Sequence, residues 1–211
     1  MPTEVLLMRH GQSEWNAIGR WQGQADSPLT DLGRAQARAV ARSLPPVEAI
    51  VASDLSRAHE SAEIIATELG IGPVIVDADL RERNAGEWSG LTRDEIHERY
   101  PGYLPDDRHR AFAPDGGKPR RPPGWESDGS LFARAARALD AIAAHVGDAR
   151  ALAVTHGGLI YAVEGRLGQP VGRLANGEAR WISVDAGQLV LGDRVLLASD
   201  SSTPVTVPNQ L

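Results

Sequence analysis

Short apolar runs alternate with stretches of helical period along the first 80 residues, and that alternation constrains the fold more than any other feature of the chain. "EVLLM" (4–8), "EAIVAS" (48–53) and "PVIVDADL" (73–80) have the length and content of buried strands. Between the first two, "LTDLGRAQARAVARSL" repeats apolar residues at helical spacing through Leu32, Ala35, Ala39 and Val40. Thr30 is placed to cap this helix and Pro45-Pro46 to stop it. "LSRAHESAEIIATELG" reads as a second helix, with Ser53 or Asp54 near its cap and Gly70 at its end. The order β-α-β-α-β predicts a parallel sheet with helices on its faces.

The remainder is less uniform. "TRDEIHERY" predicts a helix, and the proline- and glycine-dense segment about 100–126 a loop-rich excursion. "SLFARAARALDAIAAHVG" is amphipathic, with Leu131, Ala135, Leu139 and Ile142 on one face. "ALAVTHGG" is a strand and "LIYAVEGRLG" a helix. "RWISVD", "GQLVLG" and "DRVLLAS" read as three short strands, the last two parted by a turn at Gly192-Asp193. The polar tail about 200–211 is expected to fray. With no internal repeat, residues 1–211 are expected to form one domain.

Composition excludes several functions. A net charge of −6 and a pI near 5.5 give no global footprint for nucleic acid or an anionic membrane, though local arginines can still hold a small anion. The absence of cysteine removes disulfides, thiolate metal sites and cysteine nucleophiles. The apolar run in "MPTEVLLMRHG" is too short for a signal segment and no stretch approaches a membrane span, so the expected location is cytoplasmic.

The chemistry gathers at strand ends. "LLMRHG" and "AVTHGG" both end in histidine and glycine, and ligands collect beyond the carboxyl ends of strands in open α/β sheets. If both strands are central, His10 and His156 face one another, and the helix starting near Gly157 offers free N–H groups to an anion. Arg57 falls in the first turn of a helix, where a cation is disfavoured unless an anion is near; an ordinary surface arginine is the alternative. Arg9 and Arg57 could clamp one phosphate through paired hydrogen bonds. Glu82 and Glu87, in "DLRERNAGEWSGL", are candidate acids or bases, or solvated loop carboxylates. A metal site of His10, His156 and Glu82 is the competing arrangement, but two arginines would repel the ion. No Walker-type loop is present.

In this order, "LLMRHGQSEWN", "SDLSRAHESA", "LRERNAGEWSGL" and "VTHGG" resemble the histidine phosphatase superfamily, in its phosphoglycerate mutase-like branch, over about residues 4–165. The resemblance implies a three-layer α/β/α fold with a mostly parallel central sheet. It also implies phosphoryl transfer through a phosphohistidine, without metal or other cofactor. His10 then matches the nucleophile, Glu82 the proton donor and acceptor, and His156 a stabiliser of the transition state. Arg9, Arg57, Ser13, Asn16, Gln22 and Gly157 match the phosphate-binding set. Ser13 and Ser61 stand where threonine is common in the family, and Ala85 where a bulky residue is. Lys118, Arg120 and Arg121 resemble the basic, proline-bearing segment of the mutases, or are a solvated loop. Trp21 and Trp88 are candidates to contact the substrate's organic part, or core residues.

The short insertion favours a phosphomonoesterase acting on a small anionic metabolite, such as a sugar phosphate or phosphoglycerate derivative. A 2,3-bisphosphoglycerate-dependent phosphoglycerate mutase is the alternative. A phosphate-recognising or protein-interaction module with little turnover is a third. The expected partner is the phosphorylated substrate, and the final strands are candidates for pairing across a homodimer.

Overall fold

The computed structural model describes residues 1–104, 120–169, 172–199 and 203–207. Along the chain run β1 (Thr3–Arg9), α1 (Glu14–Ala17), α2 (Asp31–Ser43), β2 (Ala49–Ala52), α3 (Ser56–Leu69), β3 (Ile75–Val76), α4 (Arg93–Arg99), α5 (Asp128–Val146), β4 (Arg150–Thr155), α6 (Gly157–Arg166), β5 (Glu178–Asp185) and β6 (Gln188–Leu196). Short 3₁₀ turns occupy Ala78–Leu80 and Gly86–Trp88. The six strands form one sheet ordered β3-β2-β4-β1-β5-β6. Its first four strands are mutually parallel; β5 pairs antiparallel with β1, and β6 antiparallel with β5.

The centre of β1, Val5–Met8, is uninterrupted apolar because both of its faces are covered. Leu6 and Met8 pack with Val40 of α2 and Ala62 and Ile65 of α3. Val5 and Leu7 point the other way, against Leu131, Ala135 and Leu139 of α5 and Leu159 and Val163 of α6. The helix pairs thus sandwich the sheet, and the C-terminal ends of β1 and β4 meet at its centre. A separate aromatic cluster lies beside the sandwich: Trp21, Trp88, Leu91, Ile96 and Leu104, with Tyr100, Tyr103 and Trp125 against it.

Several expectations needed correction. β6 is a single strand running through Gly192-Asp193, so the turn is not there. The hairpin closes at Ala186-Gly187, whose φ values of +47° and +78° suit a tight two-residue turn. Gly192 is needed within the strand because a Cβ there would lie 2.8 Å from the Trp181 Cβ. Leu55, without a side-chain cap, precedes α3, in place of Ser53 or Asp54. The third strand shrinks to two residues because the Asp77 side chain accepts from Asp79 N and turns the chain into a 3₁₀ helix. Of the tail about 200–211 only residues 203–207 are described, and there Gln36 Nε2 donates to Pro204 O and Thr206 Oγ1, at 3.0 and 2.9 Å, and Thr206 Oγ1 donates to Asn176 Oδ1 at 2.9 Å. The short helix α1 was not foreseen; Ser13 and Asn16 cap it reciprocally.

Candidate active site

Arg9 lies directly opposite Thr155 in the β1–β4 pairing, so the next residues, His10 and His156, emerge side by side. Their ring centroids are 5.1 Å apart at an interplanar angle of 62°. His10 Nδ1 is 2.6 Å from Gly11 O, which can only accept, so the proton sits on Nδ1. The lone pair is then on Nε2, where Arg57 Nε donates to it at 3.2 Å.

Arg57 is almost fully buried in the first turn of α3, and two backbone carbonyls hold its fork. Its Nη1 donates to Ala25 O and its Nη2 to Gly23 O, both at 2.9 Å. One turn on, Ser61 Oγ donates to Arg57 O at 2.7 Å and accepts from Gly11 N at 3.1 Å, tying α3 to the loop after β1. Arg9 is buried too. Its Nη1 donates to Leu174 O at 2.7 Å, while its Nε has no hydrogen-bond partner among the described residues.

His156 is wholly buried at the N-cap of α6. Its Nε2 is 3.0 Å from Ser53 Oγ, and its Nδ1 has no partner among the described residues. Gly157 opens α6 beside Arg9; a Cβ there would sit 3.3 Å from Arg9 Nη1. The half-buried Glu82 caps the same helix: its Oε2 accepts from Gly158 N at 3.1 Å and its Oε1 from Arg83 N at 2.7 Å. Glu87 is exposed and accepts from Tyr100 instead.

Ser13, Asn16 and Gln22 form a buried chain of hydrogen bonds. Ser13 Oγ donates to Gln22 Oε1 at 2.9 Å, and Asn176 Nδ2 links Asn16 Oδ1 to His10 O, at 3.3 and 2.9 Å. This network sets the backbone under the nucleophile candidate.

Burial and cations determine charge here. Desolvation first, then the positive charges of Arg57 and Arg9, hold His10 well below the usual histidine range. His156 is held well below it by burial, then by Arg57 and the neighbouring His10. Burial draws Arg57 down to about 10, still charged at neutrality. The site therefore offers neutral imidazoles between permanent cations, an arrangement that attracts an anion. Among the described residues, no three His, Cys, Asp or Glu side chains group as a metal site.

The substrate-side candidates lie elsewhere. Trp88 is wholly buried and Trp21 nearly so; their rings pack edge to face at 5.0 Å, and Trp125 closes on Trp88 at 5.3 Å. Both indoles serve the aromatic core. Arg121 lies over the Trp125 ring, 4.7 Å from its centre, with Arg83 at 5.3 Å. Arg120 approaches the Tyr103 ring at 5.7 Å. Lys118 lies outside the described residues. Sequence reasoning missed Ser53 as a partner of His156 and Asn176 as a support of His10. From sequence Ser53 reads only as a helix cap, and Asn176 follows a segment without periodic signal.

The C-terminal edge of a central parallel sheet thus brings together paired strand-end histidines and two buried arginines. A sequence model of the histidine phosphatase superfamily (branch 1) matches residues 5–188, and the chain belongs to that family. It is 38% identical over 179 residues to a metal-independent phosphoserine phosphatase of Arabidopsis thaliana, covering 82% of this chain and 73% of that one. A glucosyl-3-phosphoglycerate phosphatase of Mycolicibacterium vanbaalenii is 36% identical over 197 residues, covering 90% and 87%. The solved structure of Bacillus stearothermophilus YhfR superposes with a TM-score of 0.76 at 31% identity, covering 90% of this chain and 95% of that one. Among the described residues no helix is long and apolar enough to cross a membrane.

Proposed function

We propose that the protein is a metal-independent phosphomonoesterase that works through a phosphohistidine on His10, with a small phosphorylated metabolite bearing a further anionic group as substrate. The observation that carries this reading is the neutral, fully buried His10, its Nε2 lone pair held against Arg57, in a site where Arg9 Nε and His156 Nδ1 have no partner among the described residues. The relatives' names support it: phosphoserine and glucosyl-3-phosphoglycerate are both alkyl phosphates that carry a carboxylate.

The phosphate enters between Arg9, Arg57, His156 and the N–H groups of α6. His10 Nε2 forms a bond to phosphorus as the bond to the leaving oxygen breaks, and Glu82 gives that oxygen its proton. Arg9, Arg57, His156 and Gly157 N stabilise charge on the non-bridging oxygens. A water then attacks the phosphohistidine, Glu82 takes its proton, and inorganic phosphate leaves with His10 restored. The test is phosphate release from a panel of metabolite phosphates by the wild type and by His10→Ala. Activity retained in the variant rejects the reading.

Arg121 stacked on Trp125 beside Arg83 keeps the mutase reading in play, since a mutase needs a second cationic site for the substrate carboxylate. Assay of 3-phosphoglycerate with and without the bisphosphate primer separates the two. Isomerisation faster than phosphate release selects the mutase.

A further inference from the structure

Arg134 on α5 turns both terminal nitrogens of its guanidinium onto the segment that carries Glu82. Its Nη1 donates to Asp79 O at 2.9 Å and to Arg81 O, and its Nη2 to Glu82 O at 2.9 Å. The same fork binds the Glu126 carboxylate, Nε to Oε1 at 2.8 Å and Nη2 to Oε2 at 2.9 Å. Glu126 closes the other end of the segment: its Oε2 accepts from Asn84 N at 3.0 Å, and its own N–H donates to Asn84 O at 2.9 Å. The backbone from Asp79 to Asn84 is therefore gripped on both sides of Glu82 by one buried ion pair.

The choice of residue has a physical reason. Three carbonyls converging on one point need several donors in one plane, which a guanidinium has and an ammonium lacks. The Arg134 and Glu126 side chains keep only 10% and 13% of their exposure. A charge buried that far is sustained only when paired and hydrogen-bonded, so the pair is committed to this geometry. A flexible loop would let the Glu82 carboxylate wander. Here its freedom is limited to its side-chain torsions, between anchors on α5 and on Gly158 of α6.

We propose that Arg134, braced by Glu126, is the positioning residue for the proton donor: it fixes the Glu82 backbone so that the carboxyl reaches the leaving oxygen. The inference rests on the reading of Glu82 as that donor. It has a signature that a merely structural role lacks. Proton donation matters for an alkoxide leaving group and hardly at all for an activated aryl oxide, so mispositioning Glu82 depresses turnover of the alkyl ester selectively.

The experiment measures kcat/KM for p-nitrophenyl phosphate and for an alkyl phosphate ester, in the wild type and in Arg134→Lys, Glu126→Gln and Glu82→Gln. The ratio of the two substrates within one variant cancels any loss of folded enzyme. We expect Arg134→Lys and Glu126→Gln each to lose at least ten-fold more on the alkyl ester than on the aryl ester, in the same direction as Glu82→Gln. If Glu82→Gln shows the selective loss and the other two lose equally on both substrates, the positioning role is overturned. If Glu82→Gln itself loses equally on both, the reading of Glu82 as donor fails, and this inference with it.

Discussion

Replacing Gly158 by alanine separates catalysis from stability. A Cβ at position 158 would sit 2.2 Å from Glu82 Oε1 and 3.0 Å from its Cδ. Ordinary carbon–oxygen approach begins at about 3.3 Å, so the carboxylate must retreat by about 1 Å. The obstructed atoms are the end of a flexible side chain, so the fold can yield. What is lost is the 3.1 Å bond from Gly158 N, a charge-assisted bond in the range of about 1.5–3 kcal/mol. Alanine in the first turn of α6 returns about 1 kcal/mol of helix propensity. The stability change is therefore at most about 2 kcal/mol.

Catalysis has no such compensation. A reacting group misplaced by about 1 Å can lose on the order of 100-fold in rate. Gly158→Ala should unfold in urea within about 2 kcal/mol of wild type while kcat/KM for an alkyl phosphate drops about 100-fold and kcat/KM for p-nitrophenyl phosphate falls far less. Wild-type kcat/KM on the alkyl ester, or an equal loss of kcat/KM on both esters, would refute the assignment of Glu82 and the steric reasoning together.

Further expectations follow from the same geometry. Rapid acid-free quench of the wild type with labelled substrate should trap phosphate on a histidine, and His10→Ala should show none. Stability should fall as pH drops below about 6.5. The folded pKa values of His10 and His156 are depressed, so below the unfolded value the unfolded chain binds protons the folded one refuses. The slope is about 1.4 kcal/mol per pH unit for each histidine, continuing until the folded forms titrate; urea titrations at stepped pH read it, and a flat profile between pH 6.5 and 5.5 contradicts it. Glu164→Gln should cost about 3–5 kcal/mol, because the wholly buried carboxylate holds both Arg180 at 2.7 Å and Arg194 at 2.5 Å. The kcat of the folded fraction should not change.

The parallel half of the fold was readable because its strands are buried on both faces and its helices are amphipathic. Leu6 and Met8 against Val5 and Leu7 are an uninterrupted apolar run only because two helical layers exist. The antiparallel end was less legible. Gly192-Asp193 carries the composition of a turn, yet tertiary crowding at Trp181 explains the glycine, and no local pattern encodes that contact. The site divides the same way. His10, Arg57 and His156 stand at strand or helix ends, so recognising the elements brings the residues together. Asn176 and Arg134 reach the site from positions defined only by packing, whereas Ser53 stands just past the end of β2 and its partner could be found only by aligning that end with β4. Trp21 and Trp88 show the converse: they lie within motif blocks, yet their rings are enclosed by other aromatic residues.

On the proposed reading, the hydrogen bonds of the site couple binding to attack. Buried polar groups are normally satisfied, and leaving one unpaired costs about 1–3 kcal/mol. Arg9 Nε and His156 Nδ1 are buried and unpartnered among the described residues, so an anion accepting from both recovers energy that the folded chain has forgone. Ser53 Oγ accepts from Leu55 N at 3.3 Å and lies 3.0 Å from His156 Nε2. In the tautomer with Ser53 donating to Nε2, the His156 proton is on Nδ1, the nitrogen unpartnered among the described residues. The Arg57 Nε proton, in turn, rests on the His10 lone pair while the fork's other nitrogens stay fixed on Gly23 and Ala25. A phosphate oxygen is a stronger acceptor than a neutral imidazole, because it is charged. Its arrival draws the Nε donor away and frees Nε2 as the phosphorus comes within reach. On the proposed reading, the Arg57 contact therefore competes with the phosphate for the His10 lone pair.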